Sequence, residues 1–241
     1  MGKSVAIILA AGKGSRMKNS TPKPLIEVFN KPMIEWIICK FNELNIDVIV
    51  VINPKDQSFF KKYTNIKLVY QLEQRGTGHA VQQAIKAVDN YESVFVFVGD
   101  SPFVEKNKIE SMLSYHNLNN NDVTILSSIF KNKFFPYARI VRDRKNNKII
   151  KIIEEFEASK DELLIKELFC SHYLFKTKIL KKYLPKLVES YQKKEIFLAD
   201  IFKFLINDNK KVESILISNW KSLIGLNSKG DIHWIESQEM S

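Results

Sequence analysis

Cysteine, glycine and histidine are all scarce in this chain of 241 residues. Two cysteines, Cys39 and Cys170, make no disulfide framework, and unpaired thiols fit a reducing cytoplasm. Four histidines leave little room for a histidine-rich metal centre. No apolar run approaches the ~18 residues of a membrane span. The composition, 45% hydrophobic and 27% charged, excludes collagen, coiled coil and wholesale disorder. Length alone allows one large domain or two small ones, with a core that needs no staple.

Basic residues outnumber acidic ones by 37 to 27, a net charge of +10. That excess fits a lysine-rich solvated surface or an anionic small substrate. A nucleic-acid platform would interleave basic and aromatic residues in one stripe, and here the lysines are scattered as pairs, such as Lys61–Lys62 and Lys193–Lys194. No nucleic-acid partner and no membrane are expected.

Two N-terminal patterns are decoys. Lys3 with apolar Val5 to Ala11 imitates a secretion signal, but Gly12-Lys13-Gly14-Ser15-Arg16 is a poor cleavage context. Gly2-Lys3-Ser4 lacks the strand and upstream glycine of a P-loop. The segment reads instead as a buried strand, Ser4–Leu9, running into a glycine turn. Further strands are expected at Val48–Ile52, Lys67–Tyr70 and Val94–Val98, and helices at Pro32–Leu44, Lys55–Tyr63, Gly76–Val88 and Glu105–His116. The alternation implies a parallel sheet covered on both faces. After about residue 120 strands dominate: Val123–Phe130, Ala138–Val141, Ile149–Ile153, Leu168–Phe175 and Val212–Ile217. Helices are expected at Thr177–Tyr191, Leu198–Ile206 and Lys229–Ser237. The fold class is therefore α/β, Rossmann-like, with a mixed, mostly parallel sheet and helices on both faces. One domain, 1–241, divides into a nucleotide-binding half to about 120 and an acceptor-binding half after it.

The placement of the eight glycines is informative. Gly12 and Gly14 follow the first strand, Gly76 and Gly78 open a helix, and Gly99 ends a strand. All belong to the sheet edge where such folds bind ligands. The first loop is not a dinucleotide fingerprint, because Met17 holds the third glycine position. It carries Lys13, Arg16, Lys18 and Lys23 without an acid, and Pro22 and Pro24 stiffen it. Amides, guanidinium and ammonium groups in a stiff loop suit a polyphosphate. His79 reads as a packing residue, and His116 and His233 as solvated helix residues. Cys170 and His172 share a strand face but, with no further ligand, make no zinc site.

The stretch Leu9-Ala10-Ala11-Gly12-x-Gly14-Ser15-Arg16-Met17 with Pro22-Lys23 resembles the signature of sugar-phosphate nucleotidylyltransferases. It is most similar to the uridylyltransferase domain of N-acetylglucosamine-1-phosphate uridylyltransferases. Gln71-x-Glu73-Gln74-x-Gly76-Thr77-Gly78-His79-Ala80, Gly99-Asp100-x-Pro102, Tyr137-x-Arg139-Ile140, Ile153-Glu154-Glu155, Glu195-x-x-Leu198-x-Asp200 and Gly225-x-Asn227 continue it in order. The resemblance implies a nucleotide-diphospho-sugar transferase fold. It also implies transfer from a pyrimidine nucleoside triphosphate, UTP foremost, to a sugar 1-phosphate, releasing pyrophosphate. Leu9, Ala10, Ala11, Gly12, Lys13, Gly14 and Gly99 would line the nucleotide, with Gln71, Gly76 and Thr77 at the base. Arg16 and Lys23 would hold the triphosphate and act in catalysis. Asp100 and Asn227 would hold a Mg²⁺. Ala138, Glu154, Cys170 and Phe197 would form the acceptor side.

The departures fall on the acceptor side. Cys170-Ser171-His172 replaces the family's Asn-Thr-Gly, while Phe197 and Ala199 replace its Tyr and Thr. Ala138 replaces a glycine, and Phe156 a lysine. The acceptor is accordingly left open. A cytidylyltransferase acting on another phosphorylated metabolite and a non-catalytic nucleotide-binding protein of the same fold are the rivals. With the chain stopping at Ser241, the acetyltransferase β-helix of the bifunctional relatives is expected to be absent, and the protein to be a cytoplasmic monomer or homodimer serving nucleotide-sugar and cell-surface polysaccharide synthesis.

Overall fold

The computed structural model describes residues 2–12, 21–130 and 135–238. In chain order the elements are β1 (Ser4–Leu9), β2 (Glu27–Val28), β3 (Lys31–Pro32), α1 (Met33–Glu43), β4 (Asp47–Ile52), α2 (Gln57–Phe60), β5 (Lys67–Tyr70), α3 (Thr77–Ala84), β6 (Ser93–Val98) and α4 (Lys106–Leu118). The second half contributes β7 (Val123–Ile129), β8 (Ala138–Arg142), β9 (Ile149–Ile153), β10 (Glu167–Lys176), α5 (Thr177–Tyr183), α6 (Ile201–Asn207), β11 (Val212–Ile217) and α7 (Lys229–Glu236).

A nine-stranded sheet spans both halves in the order β11-β7-β10-β6-β1-β4-β5, with β8 and β9 branching from β10. The pairs β1–β4, β1–β6, β4–β5 and β7–β11 are parallel, whereas β10 runs antiparallel to β6, β7 and β8. The central strands are apolar on both faces because both are covered. Along β1, Ala6 and Ile8 pack with Ile34, Ile37, Ile38 and Phe41 of α1. Val5 and Ile7 turn the opposite way, onto Ala80, Val81 and Ala84 of α3. The period of two along the strand and the i, i+3, i+4, i+7 spacing along α1 thus meet in one interface.

Three sequence expectations are corrected. The helix begun at Thr177 ends at Tyr183 and tightens into a 3₁₀ turn, Leu184–Lys186, rather than reaching Tyr191. Pro185 has no N–H for the ladder and its ring would strike the preceding turn. The helix expected over Lys55–Tyr63 shrinks to a 3₁₀ turn, Pro54–Asp56, and α2. His116 is not solvated: it is 1% exposed, with Nδ1 2.9 Å from Thr124 Oγ1, and burial lowers its pKa to about 4. His233 is exposed as expected. Among the described residues no helix is long and apolar enough to cross a membrane.

Strand β1 lies between β4 and β6, so the chain leaves the sheet in opposite directions on its two sides. Ligands on such sheets bind beyond the carboxyl ends of the strands at this switch point.

Candidate functional site

A cavity of about 390 Å³ opens at that switch point. Its floor is Leu9, Ala10, Ala11 and Gly12, which leave β1 between its neighbours: Ala10 N–H donates to Val51 at 2.8 Å, and Gly99 N–H to Leu9 at 2.9 Å. Gly99 itself sits behind the wall, where a Cβ would lie 3.0 Å from the Leu9 carbonyl. Gln71, Gln74, Gly76 and Thr77 form one side, with Lys23, Pro24, Asp100 and Asn227 contributing the rest together with Val98, Ala80 and Glu195. Lys13, Gly14 and Arg16 lie outside the described residues.

The structure brings Lys23, Asp100 and Asn227 together although Lys23 is 77 and 204 positions from the other two. Lys23 Nζ donates to Asp100 Oδ2 and, at 3.0 Å, to Asn227 Oδ1. Lys23 begins a short 3₁₀ turn, Lys23–Leu25, between two prolines. Buried Pro24 packs against Gly99, so the ammonium starts from a fixed backbone. Asn227 is oriented by its own amide, which donates to the Gly225 carbonyl at 3.1 Å. It precedes the capped start of α7, where Ser228 and Asp231 exchange bonds in a capping box.

The two oxygens converge on the Lys23 ammonium; with Lys23 turned to a phosphate, one carboxylate and one amide oxygen would suit Mg²⁺, which takes few protein ligands and completes its shell with phosphates and water. Among the described residues no group of three or more His, Cys, Asp or Glu could hold a metal. A site here would therefore need the substrate to complete it.

The opposite wall is a clasp between the two halves. Gly78 N–H donates to Ile196 at 2.8 Å, Ile196 N–H to Arg75 at 2.7 Å, and Leu198 N–H to Thr77 Oγ1 at 3.0 Å. Gly76 must be glycine here: its φ is +99°, and a Cβ would lie 2.5 Å from the Ile196 carbonyl oxygen. Gly76→Ala should cost at least about 2 kcal/mol, from backbone strain and collision together. Urea unfolding checks this, and an unchanged midpoint would contradict the clasp.

None of the acceptor-side residues lines this cavity. Ala138 and Cys170 are 3% and 4% exposed, and burial pushes the Cys170 thiol well up. Phe197 is half-buried, its ring 5.4 Å from that of Phe156. Glu154 has its pKa pushed up to about 7, first by burial and then by repulsion from Asp200 and Glu157. Such an acid supports folding only while it holds its proton. Its contribution is whole below about 4.5, the ordinary value, and lost as pH rises through 7. Glu154→Gln should therefore stabilise the chain by on the order of 2 kcal/mol more at pH 8.5 than at pH 5. Equal gains at both pH values, read by thermal unfolding, would contradict this.

Gln74, Pro24, Ala80, Val98 and Glu195 were missed as site residues by sequence reasoning. Gln74 and Glu195 belong to motif runs already singled out, which was the available signal. Ala80 closes the same run as Gln74, Pro24 reads only as stiffening the loop, and Val98 only as the end of a strand.

The profile of the MobA-like NTP transferase domain matches residues 6–174. The chain is 35% identical over 236 residues to a protein of Clostridium tetani named "Bifunctional protein GlmU", covering 96% of this chain and 51% of that protein. A Clostridium kluyveri protein of the same name is 36% identical over 228 residues, 93% and 49% of the two chains. The chain thus spans about half the length of these curated relatives. Among solved structures, a putative glucose-1-phosphate thymidylyltransferase from Bacillus anthracis in complex with a sucrose superposes with a TM-score of 0.77 at 19% identity, covering 97% of this chain and 94% of that one. The fold is shared.

Proposed function

The chain belongs to the MobA-like NTP transferase family, and on that premise we propose that it joins a pyrimidine nucleoside triphosphate, UTP foremost, to a sugar 1-phosphate, giving a nucleotide sugar and pyrophosphate. The observation that carries this reading is the meeting of Leu9–Gly12, Gln71, Gly76, Thr77, Lys23, Asp100 and Asn227 around one cavity. The match to the MobA-like NTP transferase domain supports its coarser part, nucleotidyl transfer.

The nucleophile is a phosphate monoester oxygen. Its second pKa is near 6, so at neutral pH it is already ionised and needs no general base. The obstacle is charge, because an anion must approach a polyanion. At ~4 Å each unscreened pair costs on the order of 4 kcal/mol at an effective dielectric near 20. Lys23 offsets that repulsion and meets charge developing on the departing pyrophosphate, with Arg16 assigned the same task. A Mg²⁺ held by Asp100 and Asn227 would add charge neutralisation between the two reactants. Leu9 to Gly12 carry the nucleotide on backbone surface, joined by Lys13 and Gly14, with Gly99 supporting Leu9 from behind, and Gln71, Gly76 and Thr77 meet the base. Glu154 and Phe197 face the acceptor, and buried Ala138 and Cys170 shape that side from behind.

Pyrophosphate release from UTP, CTP, dTTP and ATP across a panel of sugar 1-phosphates tests the reading. Release dependent on both a pyrimidine triphosphate and a sugar phosphate is expected. No release with any pair would overturn it.

A further inference from the structure

His79 lies outside the cavity, yet it touches the side chain that meets the base. Gln71 is 3% exposed and its Nε2 donates to the Gly76 carbonyl at 3.1 Å. A carbonyl can only accept, so the amide has one orientation, nitrogen toward Gly76. The same nitrogen lies 3.0 Å from His79 Nδ1, which takes the second amide proton with its lone pair. The imidazole proton is then carried on Nε2, 3.1 Å from the side-chain amide of Gln83 one helical turn on. The structure sets Gln83 Nε2 at that distance, so a ring N–H there requires the Gln83 amide to be turned over, with its oxygen to the ring. Both protons of the Gln71 amide are thus spent within the protein. Among the described residues no donor reaches Gln71 Oε1, and Oε1 is not sealed from the cavity that Gln71 lines.

We propose that His79 is a positioning residue for base specificity: by consuming the second amide proton of Gln71, it leaves that side chain an acceptor only. An acceptor pairs with a ring N–H, as in uracil, and faces a lone pair at the same ring position of cytosine. Leaving such lone pairs opposed in a closed site costs about a factor of ten or more in kcat/KM. This rests on the reading that the nucleobase sits at Gln71. Without His79 the Gly76 carbonyl alone holds the amide; turning the nitrogen to the cavity then sacrifices one bond instead of two, and the discrimination relaxes.

The test has two arms on the full chain. Long-range ¹H–¹⁵N NMR of the nucleotide-free protein reads the His79 ring, and an unprotonated Nδ1 with a protonated Nε2 is expected; the opposite tautomer overturns the inference. Kinetics then compare UTP with CTP. Wild type should favour UTP at least tenfold in kcat/KM, and His79→Leu should cut that ratio by about tenfold. His79→Asn, whose amide oxygen can stand where Nδ1 stood, should keep the ratio within about threefold. A ratio unmoved by His79→Leu, or lost equally in both variants, overturns the inference while leaving the proposed reaction intact. Turnover of neither triphosphate by wild type would instead sink the proposed reaction and the base-selective consequence, and the NMR arm then decides the hydrogen-bond chain alone.

Discussion

Replacing Lys23 with alanine is expected to lower turnover by roughly 10²–10³-fold, the effect of losing one preorganised transition-state donor. The residue has little structural reason to be a lysine. Its side chain is 14% exposed, and its ammonium is spent on Asp100 and Asn227 at the cavity edge. Apolar residues would suit the turn between Pro22 and Pro24 as well. The loss should fall mainly on kcat, because the charge that Lys23 meets grows as pyrophosphate departs. Lys23→Arg should restore little, since a planar guanidinium cannot reproduce a point charge shared between two oxygens. Steady-state kinetics beside a thermal melt separate catalysis from folding. Turnover within about threefold of wild type in a folded Lys23→Ala protein would remove Lys23 from the reaction.

Asp100→Ala should be at least as severe, abolishing measurable transfer and with it metal-dependent activity. The fold should survive, because Asp100 holds its neighbours through its backbone. Its carbonyl accepts from Leu226 N–H at 2.9 Å, and the adjoining Ser101 hydroxyl donates to Leu223 at 3.0 Å. Neither bond needs the carboxylate. The side chain points at the Gly225–Asn227 turn, where a Cβ on Gly225 would come 3.3 Å from Asp100 Oδ1. Mn²⁺ binding, followed by water proton relaxation without turnover, should weaken at least tenfold in Asp100→Ala, about 1.4 kcal/mol or more. A variant that stays active and still requires the metal would show that Asp100 is no ligand.

Much of the sheet was legible in the sequence. The strands at Ser4–Leu9, Lys67–Tyr70, Ile149–Ile153 and Val212–Ile217 coincide with those read from the sequence. Apolar β-branched runs bounded by polar turns leave few alternatives. Glycine scarcity pointed to Gly12, Gly76 and Gly99 because a rare residue at a strand end or a helix start has a backbone reason to be there. The pairing of Asp100 with Asn227 was not legible in this way. It depends on β7, β10 and β11 returning beside β6, a non-local arrangement with no local pattern, and was suggested only by resemblance. His116 misled because α4 is mostly polar around it, and its burial comes from Thr124 on a neighbouring strand. The raised pKa of Glu154 arises first from burial and then from Asp200 and Glu157, and the burial has no signal in a segment this rich in acids. The path from Gln71 through His79 to Gln83 was hidden in plain helical spacing, since only the buried Gln71 gives the i, i+4 pair a direction.

Lys23, Asp100 and Asn227, beyond the ends of β1 and β6, should receive the triphosphate, the lysine directly and the other two through Mg²⁺. A crystal of the chain grown with Mg²⁺ and a non-hydrolysable UTP analogue tests it most directly. Phosphate density is expected beside Lys23 and Asp100, with the base against Gln71. Ordered nucleotide elsewhere, such as the cleft lined by Ser93, Thr177 and Lys178 at the far end of β6, with the Lys23 cavity empty, would contradict it.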